Sequence, residues 1–456
     1  MMNNVNLNHL LLILLGLIFF SSCGDDNDTI NNRVSATELE SDVVVDWMDL
    51  FLEVERYCEG MRPNVSARAI AYINLAAYEA VAPGMPNLVS NSNKLPGFIL
   101  SNTLGNKQVD WNIALNACYS DVMTHFLING PDNQDQLISD LESRIETAYS
   151  ANLSSTVIAD SKEWGQAIAQ TVISYSQTDT EAETQALDPQ PSSYVPPVAD
   201  GNWVFTAEPE RALFPYWESA RTFVASINET TAVQPIPYSE DPNSDYYAEM
   251  QFAYESNNNA RAEDGEQLWI AEFWGDDVTG LTFGPPSRQI SIANQLTTQL
   301  NANLEQTLHM YLMLGFSLND AAVSAWKFKY IFMVQRPSAY IHEFIDPSYE
   351  TNLSRLIPWP NPSFPGYPSG HSTFASAAAG VFIDFLGENI DFTDNSHLGR
   401  TEFKGEPRSY TNFRDLAREN AFSRVPLGVH IEIDCAEGLR LGYEISDLVN
   451  EYDLAR

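Results

Sequence analysis

Apolar residues recur at spacings of three and four along most of this chain, a pattern that predicts helices. Over 38–58, Val43, Val44, Trp47, Leu50, Phe51 and Val54 share one face. The stretch 64–81 follows Pro63 and is rich in alanine, which suits a helix packed closely on its neighbours. Three more helices are expected over 109–128, 132–148 and 157–175, with breaks at Pro83-Gly84 and Gly130-Pro131. From 178 to about 202 the chain turns polar and proline-rich, ending DPQPSSYVPPVADGN. This reads either as a linker between two helical halves or as a long surface loop. Pro and aromatic residues fill 203–238 without a sustained period. Helical spacing resumes over 244–254, 266–274 and 287–304. The clearest later helix is expected over 317–335, opened by a capping box of Ser317 and Asp320 and closed before Pro337. No internal repeat and no strand-rich region stands out, so the class is all-α.

Composition adds a limit on partners. With 44% hydrophobic and 11% aromatic residues, the 456-residue chain can bury a large interior and is not disordered by composition. Its net charge of −37 repels nucleic acid and anionic lipid, which argues against both as partners. An anionic substrate therefore needs a local cationic pocket working against the global field.

Residues 1–22 hold no Asp, Glu, Lys or Arg, and the apolar run 10–20 has signal-peptide length. Ser21-Ser22-Cys23-Gly24 then resembles a bacterial lipoprotein signal, although the start lacks the usual Lys or Arg. The expected organisation is a lipoprotein signal over 1–22, an acidic tether over 23–36 and a helical domain over 37–456. That domain divides into helices over 37–177, a loop over 178–240 and a catalytic half over 241–456. An ordinary secretory signal with an incidental cysteine is the alternative. The remaining cysteines, Cys58, Cys118 and Cys435, allow one disulfide and match no zinc spacing.

Three short fragments carry candidate chemistry. In WKFKYIFMVQRP, Lys329 and Arg336 are seven residues apart, about 700° of helical rotation, so a continuous helix would put both cations on one face. In YPSGHS, Gly370 allows close backbone approach, Ser369 adds a hydroxyl, and the helix start offers N–H groups to an anion. His371 beside them can exchange protons. In SRVPLGVHIEID, Arg424 adds a guanidinium, and Asp434 lies where it could hold the His430 ring if that stretch is helical. Each fragment alone also has a bland reading: a solvated basic face, a turn with a serine cap, an ordinary loop. His125, His309, His342 and His397 fit no motif and read as structural or surface residues.

Taken in order, the fragments spell Lys, six residues, Arg-Pro; then Pro-Ser-Gly-His; then Ser-Arg, five residues, His, three residues, Asp. This resembles the superfamily that joins vanadium-dependent haloperoxidases to acid phosphatases of the type-2 phosphatidic acid phosphatase class. The resemblance implies helical bundles, two of four helices each, forming one large domain. It implies a vanadate cofactor held by Lys329, Arg336, Ser369, Gly370, His371 and Arg424, with His430 as axial vanadium ligand. His371 would be the acid–base group, Lys329 would polarise bound peroxide, and Asp434 would orient His430. Trp326 and Phe364 match aromatics that line the peroxidase pocket. The segment AEFWGDD resembles one whose acid pairs with an active-site arginine; by that likeness the acid is Asp277, with Asp276 the rival.

The long region ahead of Lys329 and these extra matches favour the peroxidase branch, in which vanadate acts as a Lewis acid while hydrogen peroxide oxidises halide to hypohalous acid. Iodide is the expected halide and bromide the next, with a small organic molecule as acceptor. The membrane would be met only through lipid on Cys23, placing an exported bacterial lipoprotein in the periplasm or at the outer-membrane surface. Two alternatives stay open: a phosphatase using His430 as nucleophile, and a non-catalytic surface protein that binds an oxyanion.

Overall fold

Helix α1 (Asp42–Glu55) turns the apolar stripe read from the sequence into the core of the N-terminal region, burying Trp47, Phe51 and Val54. Helix α2 (Asn64–Val81) is buried at every position, which explains its alanine content: a helix enclosed on all sides needs small side chains to let its neighbours approach. Helices α3 (Trp111–Phe126), α4 (Gln134–Ser150), α5 (Ser155–Ser176) and α6 (Thr180–Leu187) complete this region, with α3 packed on α2, α4 and α5. This computed structural model describes residues 33–205, 210–276, 278–356 and 361–456. The expected signal over 1–22, most of the tether over 23–36, and Asp277 lie outside the described residues. None of the described helices is long and apolar enough to cross a membrane.

The later region contains α7 (Asp245–Glu263), α8 (Glu266–Phe273), α9 (Pro285–Leu300), α10 (Leu304–Phe332), α11 (Pro337–Phe344), α12 (Gly370–Leu386), α13 (Phe413–Phe422), α14 (Arg424–Leu427) and α15 (Glu432–Asn450). A hairpin, β1 (Asn389–Asp394) with β2 (Arg408–Asn412), pairs Phe392 with Tyr410 and Asp394 with Arg408 in antiparallel register. The central element is α10, 29 residues long and about 43 Å from end to end. It packs on α2 in one direction and on α12 and α15 in the other, joining the two helical regions in one core. The all-α class holds, with this one short hairpin among the described residues.

Several boundaries differ from the sequence reading. The helix expected over 317–335 begins at Leu304, with Asn303 and Gln306 forming the capping box. Its first half, LEQTLHMYLMLGF, is buried almost all round, and a helix without a polar face shows no clear period. Ser317 and Asp320 therefore lie mid-helix. Ser317 donates to Ala377 O on α12 at 3.0 Å. The Asp320 carboxylate accepts the N–H groups of Phe223, Val224 and Ala225 at 2.8 Å each, pinning the aperiodic 203–238 segment to α10. The polar stretch after 178 also holds a helix, α6, whose Thr-Glu-Ala-Glu start favours a helix N-terminus. Cys58, Cys118 and Cys435 are three separate buried thiols rather than one disulfide and a spare.

Among the described residues the most extensive helix pairing is α12 against α15. Gly438, Gly442 and Ser446 lie at four-residue intervals on α15, facing the Ser369–Gly380 side of α12. A Cβ at Gly438 would stand 2.5 Å from Ser369 O, and one at Gly442 would overlap Ser376 Oγ and Thr373 O. Gly442→Val should lower stability by about 1–3 kcal/mol, read as a reduced denaturant midpoint. An unchanged midpoint would mean that the two helices have slack.

His309 on α10 packs edge-on against Phe385, ring centroids 4.8 Å apart, and burial lowers its pKa to about 4. The unfolded chain, with a histidine pKa of about 6.5, binds this proton first, so the contribution is present above about pH 6.5 and lost as pH falls toward 4. The stability difference between wild type and His309→Leu should therefore shift by up to about 3 kcal/mol in favour of the variant between pH 7 and pH 4. Parallel pH profiles of the two proteins would exclude this.

Candidate active site

The chain after α10 decides where the first two cations meet. The helix ends at Phe332, and Met333 takes φ 51°, a left-handed conformation that is uncommon for a residue with a side chain. Its carbonyl accepts Trp203 N at 2.6 Å, which holds the turn in place. Arg336 thus lies beyond α10, as the N-cap of α11, with extended backbone (φ −77°, ψ 148°). Lys329 and Arg336 do not share a helix face, as the seven-residue spacing had suggested. They converge because Met333 and Pro337 turn the chain between them.

Both cations are fully buried and are solvated by backbone carbonyls. Lys329 Nζ donates to Pro365 O (3.0 Å), Gly366 O (2.9 Å) and Pro368 O (2.6 Å). Three acceptors require three N–H donors, which only the ammonium form has. Burial and the nearby Arg336 and Arg424 pull the pKa of Lys329 down, while Asp434 opposes them. Arg336 Nε donates to Phe364 O at 3.0 Å, and its Nη1 to Val429 O at 2.9 Å. The prolines at 362, 365 and 368 carry no N–H, so this segment presents more backbone acceptors than donors. Phe364 also lies under both cations, its ring centroid 5.1 Å from Lys329 Nζ and 5.0 Å from Arg336 Cζ.

The Ser-Gly-His turn opens α12, with Ser369 as N-cap: its Oγ accepts Ser372 N at 3.4 Å. Ser369 N donates to Asp434 O at 2.9 Å, tying this fragment to the last one. At Gly370 a Cβ would stand 3.3 Å from the Trp326 ring and 3.7 Å from Lys329 Cε, so only glycine leaves the backbone open beside the lysine. The N–H groups of the first turn have no acceptor within their own helix.

Gly428, at φ 89°, ends α14 where a Cβ would strike Tyr349 and Asn257, and the turn delivers His430 to the same point. Arg336 Nη1 lies 3.0 Å from His430 Nε2. A guanidinium can only donate, so Nε2 presents its lone pair and Nδ1 carries the proton. That proton goes to Asp434 Oδ2 at 2.9 Å, from the first turn of α15. Burial and the positive charges of Arg336, Lys329 and Arg424 keep the His430 pKa well below the ordinary value, so the ring is neutral. Burial raises the Asp434 pKa to about 7, against the pull of Lys329.

Arg424 is fully buried and donates to Trp274 O at 3.1 Å. Gly370, His371, Arg424 and His430 line a cavity of about 260 Å³ walled by Trp326, Phe364 and Phe374. Trp326 and Phe364 pack at 4.8 Å between centroids. The fold thus brings Trp326, Lys329, Arg336, Phe364, Ser369, Gly370, His371, Arg424, His430 and Asp434 together. Asp277 lies outside the described residues. Its rival Asp276 is fully buried, lines the cavity and pairs with Arg288 at 3.7 Å. Behind it, Arg288 also pairs with Asp394 at 2.9 Å and meets His397 Nε2, a buried cluster that the sequence reading missed. Also unforeseen was the part of the cavity wall from the N-terminal half, Cys58, Gly60, Arg62 and Pro63. Only the Arg-Pro step before α2 could have drawn attention to it.

No curated protein matches the chain. Residues 309–454 match the family model of the VCPO second helical-bundle domain. The structure is similar to the crystal structure of a bacterial vanadium-dependent iodoperoxidase, with a TM-score of 0.79 and 24% identity over 91% of this chain and 97% of that one. It is also similar to a bacterial vanadium-dependent chloroperoxidase in its holo form, with a TM-score of 0.67 and 17% identity over 91% and 97%. The apo form of a bacterial vanadium-dependent chloroperoxidase gives the same score and identity, covering 98% of that chain. Residues 309–454 thus match the VCPO second helical-bundle domain, in a chain whose fold is similar to those of a bacterial vanadium-dependent iodoperoxidase and chloroperoxidase.

Proposed function

We propose that this protein is a vanadate-dependent haloperoxidase that oxidises halide, iodide first and bromide next, with hydrogen peroxide. The observation that carries this reading is the convergence of three fully buried cations, Lys329, Arg336 and Arg424, on a neutral imidazole whose Nε2 lone pair lies among them. Among the described residues no group of three His, Cys, Asp or Glu side chains could hold a bare metal cation. The donor set suits a metal oxyanion instead: cations for its oxygens, one nitrogen for its metal.

Lys329, Arg336 and Arg424 would supply the charge, Ser369 and the Gly370 N–H further donors, and His430 Nε2 the single protein ligand. When bound, vanadate would act as a Lewis acid that makes hydrogen peroxide electrophilic toward halide without itself changing oxidation state. The protein's own contributions follow from the geometry. Asp434 holds the His430 proton on Nδ1 and so keeps Nε2 unprotonated, its lone pair turned to Arg336. The Lys329 ammonium, its three N–H groups already held by carbonyls, would polarise a nearby oxygen through its charge at little reorganisation cost. His371, 6% exposed at the cavity surface, takes a proton from arriving hydrogen peroxide and returns one to the departing product. Trp326, Phe364 and Phe374 keep bulk water from the reacting atoms.

Iodide is preferred because it is the easiest halide to oxidise and because the iodoperoxidase is the more similar of the two enzymes by identity and TM-score. A small organic acceptor would take the halogen. The Ser-Ser-Cys-Gly sequence supports export and lipid attachment at Cys23, which mass spectrometry of membrane fractions would test.

Purified protein loaded with vanadate should oxidise iodide with hydrogen peroxide and lose that activity on chelation. His430→Ala should reduce turnover about a hundredfold or more and release vanadate. His371→Ala should cost about 10²–10⁴ in turnover while retaining more of the vanadate. Hydrolysis of a phosphomonoester by a vanadate-loaded protein that lacks peroxidase activity would overturn the proposal in favour of a phosphatase. Binding of the oxyanion with neither activity would leave a binding protein.

A further inference from the structure

The cavity is lined by three charged side chains among the described residues: Arg424, Asp276 and Arg62. Arg424 belongs to the oxyanion cradle, and Asp276 faces Arg288. Arg62 comes from elsewhere in the chain, the turn between α1 and α2, and has no part in the chemistry assigned above.

Its setting is built rather than incidental. The Arg62 side chain is 11% exposed, and its partner Glu55 is fully buried. Nε lies 3.3 Å from Glu55 Oε1 and Nη2 lies 3.5 Å from Oε2, a loose pairing for a guanidinium and a carboxylate. Glu55 is held more closely by Ser66, accepting from its Oγ at 2.6 Å, and it also accepts from Gly284 N at 3.4 Å. Gly284 also packs directly on the pair: a Cβ there would stand 2.9 Å from Glu55 Oε1 and 3.3 Å from Arg62 Cγ. Arg62 Nη1 is buried without a hydrogen-bond partner. A buried guanidinium N–H left unsatisfied costs stability, and Arg62 is among the residues that line the cavity.

We propose that Arg62 is a binding site for a small, weakly hydrated monovalent anion of the halide class, which it holds in the cavity shared with the cradle. This rests on the haloperoxidase reading for its purpose, but not for its chemistry. A guanidinium is weakly hydrated and matches a large soft anion better than an ammonium would. The same cavity is also lined by Pro63, Leu213, Trp326 and Phe364, apolar surface that favours the same kind of ion. The site also answers the constraint set by a net charge of −37: a halide crossing that field needs a cation that the cofactor has not already engaged.

The test combines bromide-soaked crystals of the vanadate-free protein, measured at the bromine absorption edge, with steady-state kinetics of Arg62→Gln and Arg62→Lys. An anomalous peak beside Arg62 is expected in the wild type and not in Arg62→Gln. In the loaded enzyme Arg62→Gln should raise KM for iodide about tenfold, with a much smaller change in kcat and none in KM for hydrogen peroxide. Arg62→Lys should recover part of the loss. Absence of bromide at Arg62 in the wild type would overturn the proposal, as would an unchanged iodide KM in both variants. If Arg62→Gln fails to fold, the wild-type bromide map and Arg62→Lys decide. If bromide sits at Arg62 but the loaded wild type oxidises no halide, the anion site stands and the haloperoxidase reading falls.

Discussion

Carbonyl solvation of buried cations is the interaction on which the site depends. Lys329 and Arg336 lie out of contact with water, yet the described groups bonded to them are mainly backbone oxygens of residues 364–368 and Val429. Carboxylates in those places would have neutralised the charge and left no net positive charge in the site. Carbonyl dipoles stabilise the charge without cancelling it. The proline-rich segment suits this role because its three prolines lack an N–H, leaving it with more acceptors than donors.

The same requirement shapes the surrounding helices. A cradle assembled from α10, α11, α12 and the turn before α15 works only if those elements are held within tenths of an ångström. The glycine stripe of α15 does this by bringing backbone against backbone, so that Ser369 N can reach Asp434 O. On the other side, α10 carries the N-terminal helices as well as Lys329, which makes a residue such as Arg62 part of the cavity wall. The early helices thus shape the pocket as well as support it.

Much of this was legible beforehand, and the failures have physical causes. The α2 boundaries matched because Pro63 and an alanine-rich run mark them. The start of α10 was missed because a helix buried on every side has no polar face to set a period. The inference that Lys329 and Arg336 share a helix face failed because a left-handed Met333 ends the helix between them, and nothing in a methionine signals that conformation. The fragments still met in space, since their order was right even where the local geometry was not.

Sequence alone determined the chemical inventory: helical periodicity, an acidic chain, and three motifs supplying lysine, arginines, a serine-glycine-histidine turn and a histidine with its aspartate. These are properties of residue type and spacing, which survive without coordinates. Tertiary structure decided which nitrogen of His430 carries the proton, which oxygens solvate the cations, and that Arg62 lines the same cavity as His430. Those depend on contacts between segments tens to hundreds of residues apart. Such contacts are set by packing, and packing leaves no local mark on the chain.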